Sequence, residues 1–181
     1  GGTIAIISKE WKHAVVSAKT DSSGLSILTR IKFKVASDIP GTRATFFTTI
    51  GAYIPPQAGS DSGPYTINTR LRQYLATSTH SPTITPSQWA QLVIQKWVLR
   101  AQAQEQFVIL VGDLNGTLEL GASNSIRDWV ASLNMEAPLT DLLLPQKTYY
   151  TFYRNLDGIS RIDHILYSPM PSNIKLAEFG T

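Results

Sequence analysis

Cysteine is absent from this 181-residue chain, which excludes disulfides and thiolate metal sites without identifying a compartment. No unbroken apolar stretch approaches membrane-spanning length, and the N-terminus lacks the basic, apolar, small-residue order of a secretory signal. The chain is therefore expected to be soluble, with no membrane partner. No internal repeat, coiled-coil register or Gly-rich phosphate loop occurs. His13 and His80 show no ligand spacing, and no Ser/His/Asp nucleophilic set is evident. What is present is an ordinary globular composition: 43% of the residues are hydrophobic, enough to bury a core, and the length suits one domain.

The net charge of +3 is mild but uneven. Lys9, Lys12, Lys19, Arg30, Lys32, Lys34 and Arg43 crowd the first quarter of the chain against Glu10, Asp21 and Asp38. A basic surface attracts polyanions by counterion release, so Lys32 and Lys34 are candidate contacts to a nucleic acid. Alternating with Ile31, Phe33 and Val35, they also read as the wet face of an edge strand, where Lys is favoured.

Strand patterns fall at residues 3–8 and 13–18, joined by a turn at 9–12, and at 25–35 after the turn signal Asp21, Ser22, Ser23, Gly24. Together they predict an antiparallel meander. Residues 45–53 form a further strand that Pro55 and Pro56 stop, followed by a polar, Gly-rich loop at 57–64 of the kind that contacts substrates. A helix is expected over 65–76. Thr85, Pro86 and Gln88 combine an N-cap, a Pro at the first helical position and a capping-box Gln. That helix should run to about 104 with Trp89, Leu92, Val93 and Trp97 on one face. Another opens at Ser125, with Ile126, Trp129, Val130 and Leu133 spaced for a single apolar side. The tryptophans read as core anchors. Strands mixed with a few amphipathic helices point to stacked sheets with helices outside them.

Residues 107–116 carry the most chemistry. The apolar run Phe107, Val108, Ile109, Leu110, Val111 closes with Gly112, Asp113, Leu114, Asn115, Gly116. Such a buried strand delivers Asp113 and Asn115 to its carboxyl end, where α/β proteins keep their sites. Asp, Asn and Gly are also turn residues, so a plain turn is the competing reading. Asp163 sits inside a second strand-like segment, Ile162, Asp163, His164, Ile165, Leu166, where an acid asks for a partner or a cation. Arg161 lies on the same side of that segment and could supply the partner. His164 should point to the opposite face, as a packing residue or in a surface hydrogen bond.

These two segments in this order resemble the endonuclease/exonuclease/phosphatase superfamily, with its Gly-Asp-x-Asn strand end and later Arg/Lys-Ile/Leu-Asp strand. Gly51, Ala52, Tyr53, Ile54 resembles the family's Tyr-bearing strand end; Gly2, Thr3, Ile4, Ala5 its Gly-Gly strand opening; and Thr148, Tyr149, Tyr150 its Thr-aromatic segment. The run Ser160, Arg161, Ile162, Asp163, His164, Ile165, Leu166 is most similar to the endonuclease domains of non-LTR retrotransposons, and next to apurinic/apyrimidinic endonucleases.

The resemblance implies an α/β fold, specifically a four-layer α/β sandwich of two mixed β-sheets flanked by helices. It covers residues 1–181 as a partial domain, incomplete at both ends. The family's upstream Asn and metal-binding Glu strands and its downstream Ser-Asp-His segment find no match here, so an internal piece that cleaves poorly by itself is expected. The resemblance further implies Mg²⁺-dependent phosphodiester hydrolysis, with Mn²⁺ as substitute, on nucleic acid and most often DNA. Asp113 would activate or orient water, Asn115 would hold a phosphate oxygen or fix Asp113, and Tyr53 would stabilise charge at the phosphate. Asp163 matches the acid that orients the family's C-terminal histidine and is the one candidate metal ligand. Gln57 stands near the place where many relatives carry an Asn and is the candidate phosphate contact beside it. A retrotransposon origin would add a reverse-transcriptase domain to the same polyprotein and a nuclear location. Fold alone leaves a phospholipid, phosphoinositide or RNA substrate open, as well as a catalytically silent, truncated remnant that binds nucleic acid or a partner.

Overall fold

A computed structural model of the chain describes residues 2–35, 44–56, 63–77, 83–119, 121–137, 152–154, 157–160 and 162–169, the stretches 152–154 and 157–160 by backbone alone. Gln57, His80, Arg161 and residues 148–151 lie outside the described residues, so the expectations placed on them are not addressed by the fold.

The strands are β1 (Val15–Thr20), β2 (Leu28–Val35), β3 (Thr45–Tyr53), β4 (Phe107–Asp113), β5 (Phe152–Arg154), β6 (Asp157–Ser160) and β7 (Asp163–Tyr167). The helices are α1 (Ile67–Thr77), α2 (Pro86–Gln102) and α3 (Arg127–Ser132). Five strands form a mixed sheet in the order β1-β2-β3-β4-β7, and β5 pairs with β6 in a separate two-stranded unit. The protein is thus an α/β fold with helices flanking a mixed sheet. β1, β2 and β3 make the antiparallel meander. β3 and β4 run parallel, which requires a long crossover between them, and α1 and α2 supply it. β7 then returns antiparallel to β4. No helix among the described residues is long and apolar enough to cross a membrane.

Alternation divides the sheet. Leu28, Ile50, Ala52, Val108, Leu110 and Leu166 are buried towards the helices, where Trp89, Ala90, Ile94 and Val98 of α2 meet them in the main core. Trp89 adds an edge-to-face contact with Tyr74 of α1, ring centroids 5.7 Å apart. Across the sheet, Ile31 and Phe33 join Ala14 in a smaller cluster against which Phe47 packs, its ring stacked on Phe33 at 4.6 Å.

Several local expectations need correction. Residues 3–8 are not a strand: Thr3 bonds through its N–H and hydroxyl to the Ser26 carbonyl, but no ladder follows, and Ile4 and Ile6 are 88% and 90% exposed. A 3-10 helix, Lys9–Ala14, replaces the turn and delays β1 to Val15. β2 begins only at Leu28, because Ser26 adopts a left-handed φ of 52° and buried Asp21 clamps the loop, accepting from the N–H groups of Ser23 and Leu28. Nor is β2 an edge strand; β1 covers it, so Lys32 and Lys34 do not owe their place to edge protection. In α2 the buried side is Trp89, Ala90, Ile94, Val98 and Ala101, with Val93 and Trp97 half-buried, and Leu92 turns out to solvent.

The capping box at the start of α2 forms as its residues suggest. The Gln88 N–H donates to Thr85 Oγ1 at 3.2 Å, and the Thr85 N–H donates to Gln88 Oε1 at 2.9 Å. Thr85→Ala should therefore cost about 1 kcal/mol, with the denaturation midpoint falling and its slope unchanged.

Candidate active site

The register of three strands brings the candidate residues together. Tyr53 at the end of β3 is the direct partner of Asp113 at the end of β4, and Asp113 is in turn the partner of Asp163 at the start of β7. Partners in register point to the same side of a sheet, so Tyr53, Asp113 and Asp163 form one row across three strands. By alternation the row falls on the side of the sheet on which Val111 and Ile165 are exposed, and half-buried Tyr53 also packs against the main core.

Asn115 completes this end of the sheet, in a way that assigns it a positioning part. It occupies the left-handed region at φ 47°, a conformation Asn tolerates better than most residues. Its backbone N–H donates to Asp113 Oδ1 at 3.0 Å, and its side-chain Nδ2 donates to the Ile54 carbonyl at 2.8 Å. The segment is therefore a turn, with the aspartate side chain closing it, and the same turn fixes the carboxylate's rotamer. Turn and site were rival readings of the sequence, yet the geometry accommodates both.

Further main-chain bonds brace the row. The Ile54 N–H donates to the Asp113 carbonyl and the Leu114 N–H to the Ile162 carbonyl, each at 2.9 Å. His164, beside Asp163 on β7, points to the other face as alternation requires. It is 3% exposed rather than at the surface, and its Nε2 lies 2.7 Å from the Gly116 carbonyl. A carbonyl can only accept, so Nε2 carries the proton. This imidazole ties β7 to the loop after β4, a role that alternation hinted at but that only the loop's return path reveals. Gly116 is needed there, since a Cβ would come within 2.3 Å of Ile126 Cγ2.

Electrostatics set Asp113 apart. Its pKa is raised, first by burial and then by the facing Asp163 charge, while the bond from Asn115 opposes both. A half-buried carboxylate raised towards neutrality is what general-base chemistry uses. Among the described residues, no three His, Cys, Asp or Glu side chains group to enclose a metal ion. Two carboxylates set opposite each other nonetheless suit Mg²⁺, which is commonly held by one or two carboxylates with waters and substrate phosphate completing its shell. A cation between them would also relieve their repulsion.

Lys32 and Lys34 are not part of this row. Lys32 pairs with Thr48, five residues before Tyr53 along β3, or roughly 17 Å at about 3.4 Å per residue. They also project from the opposite face, that of Leu28 and Arg30.

The family model described as Endonuclease/Exonuclease/phosphatase family matches residues 4–176. No curated protein matches the sequence. Among solved structures, the catalytic domain of human Nocturnin with bound sulfate anion is similar at 16% identity and a TM-score of 0.42, covering 85% of this chain and 47% of that one. A conserved protein of unknown function from Enterococcus faecalis V583 is similar at 15% identity and a TM-score of 0.41, covering 78% and 43%. An endonuclease/exonuclease/phosphatase family protein from Bacteroides thetaiotaomicron follows at 16% identity and a TM-score of 0.37, covering 78% and 41%. The chain spans less than half the length of each of these structures.

Proposed function

The chain belongs to the endonuclease/exonuclease/phosphatase family, and on that premise we propose that its strand-end row hydrolyses phosphodiesters with the help of a divalent metal, acting on nucleic acid as a DNA-nicking endonuclease of the non-LTR retrotransposon type. The observation that carries the reading is the shared register of Tyr53, Asp113 and Asp163, drawn from strands far apart in sequence. Convergence of this kind is what a site needs and what independent turns would not produce.

Asp113, held by the Asn115 N–H, takes the proton of the attacking water or orients it. Tyr53, one strand away, presents its hydroxyl end towards the phosphate and stabilises charge there. Asn115 keeps the loop and the carboxylate in place. Asp163, with Asp113 beside it, would hold Mg²⁺, and the ion when bound supplies a Lewis acid for the phosphoryl oxygens. The choice of DNA rests on the wording of the segment from Ser160 to Leu166 alone.

The test expresses the full open reading frame and offers supercoiled plasmid, an RNA oligonucleotide and a phosphoinositide in parallel, with Mg²⁺ or with EDTA. Nicked circles with Mg²⁺ and none with EDTA are expected. Turnover of RNA or lipid alone would replace the substrate, and turnover of none would leave a silent nucleic-acid binder.

The coupling of the two acids gives a pH prediction. Cleavage requires ionised Asp113, so its rate should rise with pH through the raised Asp113 pKa. Asp163→Asn removes a facing negative charge and makes that ionisation easier. The acidic limb of kcat/KM should therefore move to lower pH in the variant, whatever happens to the plateau. An unmoved limb would show that the two carboxylates do not sense each other.

A further inference from the structure

A second cluster of charge lies at the other end of the sheet. Between the C-terminal turns of α2 and the helix-facing side of β1, β2 and β3 is a groove of about 240 Å³, lined by Lys19, Arg30, Lys32 and Arg100 with Thr48 and Gln106 at its floor. Among the described residues, no carboxylate lines it.

The register explains the crowding. Lys19 and Arg30 are direct partners on adjacent strands, an arrangement that is unfavourable when both are charged. Arg30 and Lys32 alternate onto the same face of β2, and α2 adds Arg100 from above. Aromatic rings hold two of the cations in place: the Arg30 guanidinium lies 5.4 Å from the Trp97 ring centroid, and Lys32 Nζ lies 4.5 Å from that of Phe46. Burial and the Arg100 charge both lower the Arg30 pKa, which marks an environment short of negative charge.

The floor is a closed polar chain. Thr48, 2% exposed, donates its hydroxyl to Gln106 Oε1 at 2.7 Å, and Gln106, 4% exposed, donates from Nε2 to Gln104 Oε1 at 2.6 Å. Both glutamine oxygens are thus engaged, and the groove offers incoming ligands mainly donors and positive charge. Four like charges brought together by two strands and a helix repel one another, and an anion among them would relieve that repulsion.

We propose that this groove binds a compact anion bearing two adjacent phosphate groups, either inorganic pyrophosphate or the diphosphate of a nucleotide. Its volume lies below the roughly 300–1,000 Å³ of drug-sized ligand sites, which favours a small, highly charged occupant. Guanidinium groups suit phosphate oxygens through paired donors. A polynucleotide reaching the Asp113 row is disfavoured, because the row and the groove lie on opposite faces of β3, with Thr48 five residues before Tyr53. The inference stands independently of the hydrolytic reading.

The experiment titrates inorganic pyrophosphate into the full chain by calorimetry, in EDTA so that metal-mediated binding at the strand ends is removed, with ADP in a parallel arm. Saturable binding is expected, weakened at least about tenfold in the Arg30→Gln, Arg100→Gln double variant, as loss of a charge-assisted hydrogen bond requires. Lys19→Gln with Lys32→Gln should give a similar loss, and serves should the arginine variant not fold. Asp113→Asn should leave the affinity unchanged. Equal affinity for ADP and pyrophosphate would mean that the diphosphate alone is read, and tighter ADP binding would identify a nucleotide. Absence of saturable binding, binding indifferent to both double variants, or binding lost through Asp113→Asn would overturn the proposal. So would a DNA oligonucleotide that responds to the double variants where pyrophosphate does not bind.

Discussion

Asp113→Ala is expected to lower the rate of phosphodiester cleavage by about 10²–10⁴-fold, the range typical of losing a general base. Affinity for nucleic acid should stay the same or rise slightly, since the change removes one negative charge beside a phosphate. The loss should not reflect unfolding. Asp113 is half-buried with a raised pKa, so its charged form is disfavoured in the fold. An acid whose folded pKa exceeds its unfolded value takes stability away as pH rises from the unfolded value through the folded one. Asp113→Asn, which keeps an oxygen for the Asn115 N–H, should therefore melt above the wild type at neutral pH, with the advantage vanishing below the unfolded carboxylate pKa. Paired melting curves and single-turnover cleavage separate the two effects. Cleavage at the wild-type rate in Asp113→Ala would leave the strand end as a turn and nothing more.

Gly112→Ala should be among the most damaging single substitutions in the chain. Gly112 has φ 143°, and a Cβ built there would lie 1.9 Å from the Ala52 carbonyl oxygen and 2.9 Å from its carbon. Both are backbone atoms of the neighbouring parallel strand, in direct register with Gly112, so no side chain can swing away. β3 and β4 would have to separate where they carry Tyr53 and Asp113. The cost should reach roughly 3 kcal/mol or more, the range of overpacking against fixed backbone with added strain, and depress Tm by about 6–12 °C for a domain of this size. Cleavage should fall even at temperatures where the variant stays folded. A melt within about 2 °C of the wild type would mean that the strand ends are loosely held.

Much of the candidate site's geometry was legible because it depends on local pattern. The apolar run before Gly112 specified β4, alternation placed Asp163 and His164 on opposite faces, and Thr85 with Gln88 marked the start of α2. What escaped depends on partners remote in sequence. Residues 3–8 have the composition of a strand, but strand formation needs a partner strand, and here Thr3 bonds to the Ser26 carbonyl of a loop before the chain turns into a 3-10 helix at Lys9. Leu92 fits an apolar stripe by spacing, yet the docking angle of α2 turns its buried side towards Ala90 and Ile94. Lys32 resembled an edge-strand lysine because neither the position of β1 nor the approach of Arg100 on α2 can be read from β2 alone. The requirement for glycine at position 112 belongs to this group as well, since it arises from Ala52 across the sheet.

The most direct test of the strand-end row as a metal-assisted phosphoester site is Mn²⁺ titration of the ¹⁵N-labelled chain, read as paramagnetic broadening of backbone amides. This readout needs no turnover and tolerates weak binding. The amides of Tyr53, Asp113, Asn115 and Asp163 should broaden first and together, and Asp113→Asn should remove the effect. Broadening that begins elsewhere, or that ignores Asp113→Asn, would contradict metal binding at the row.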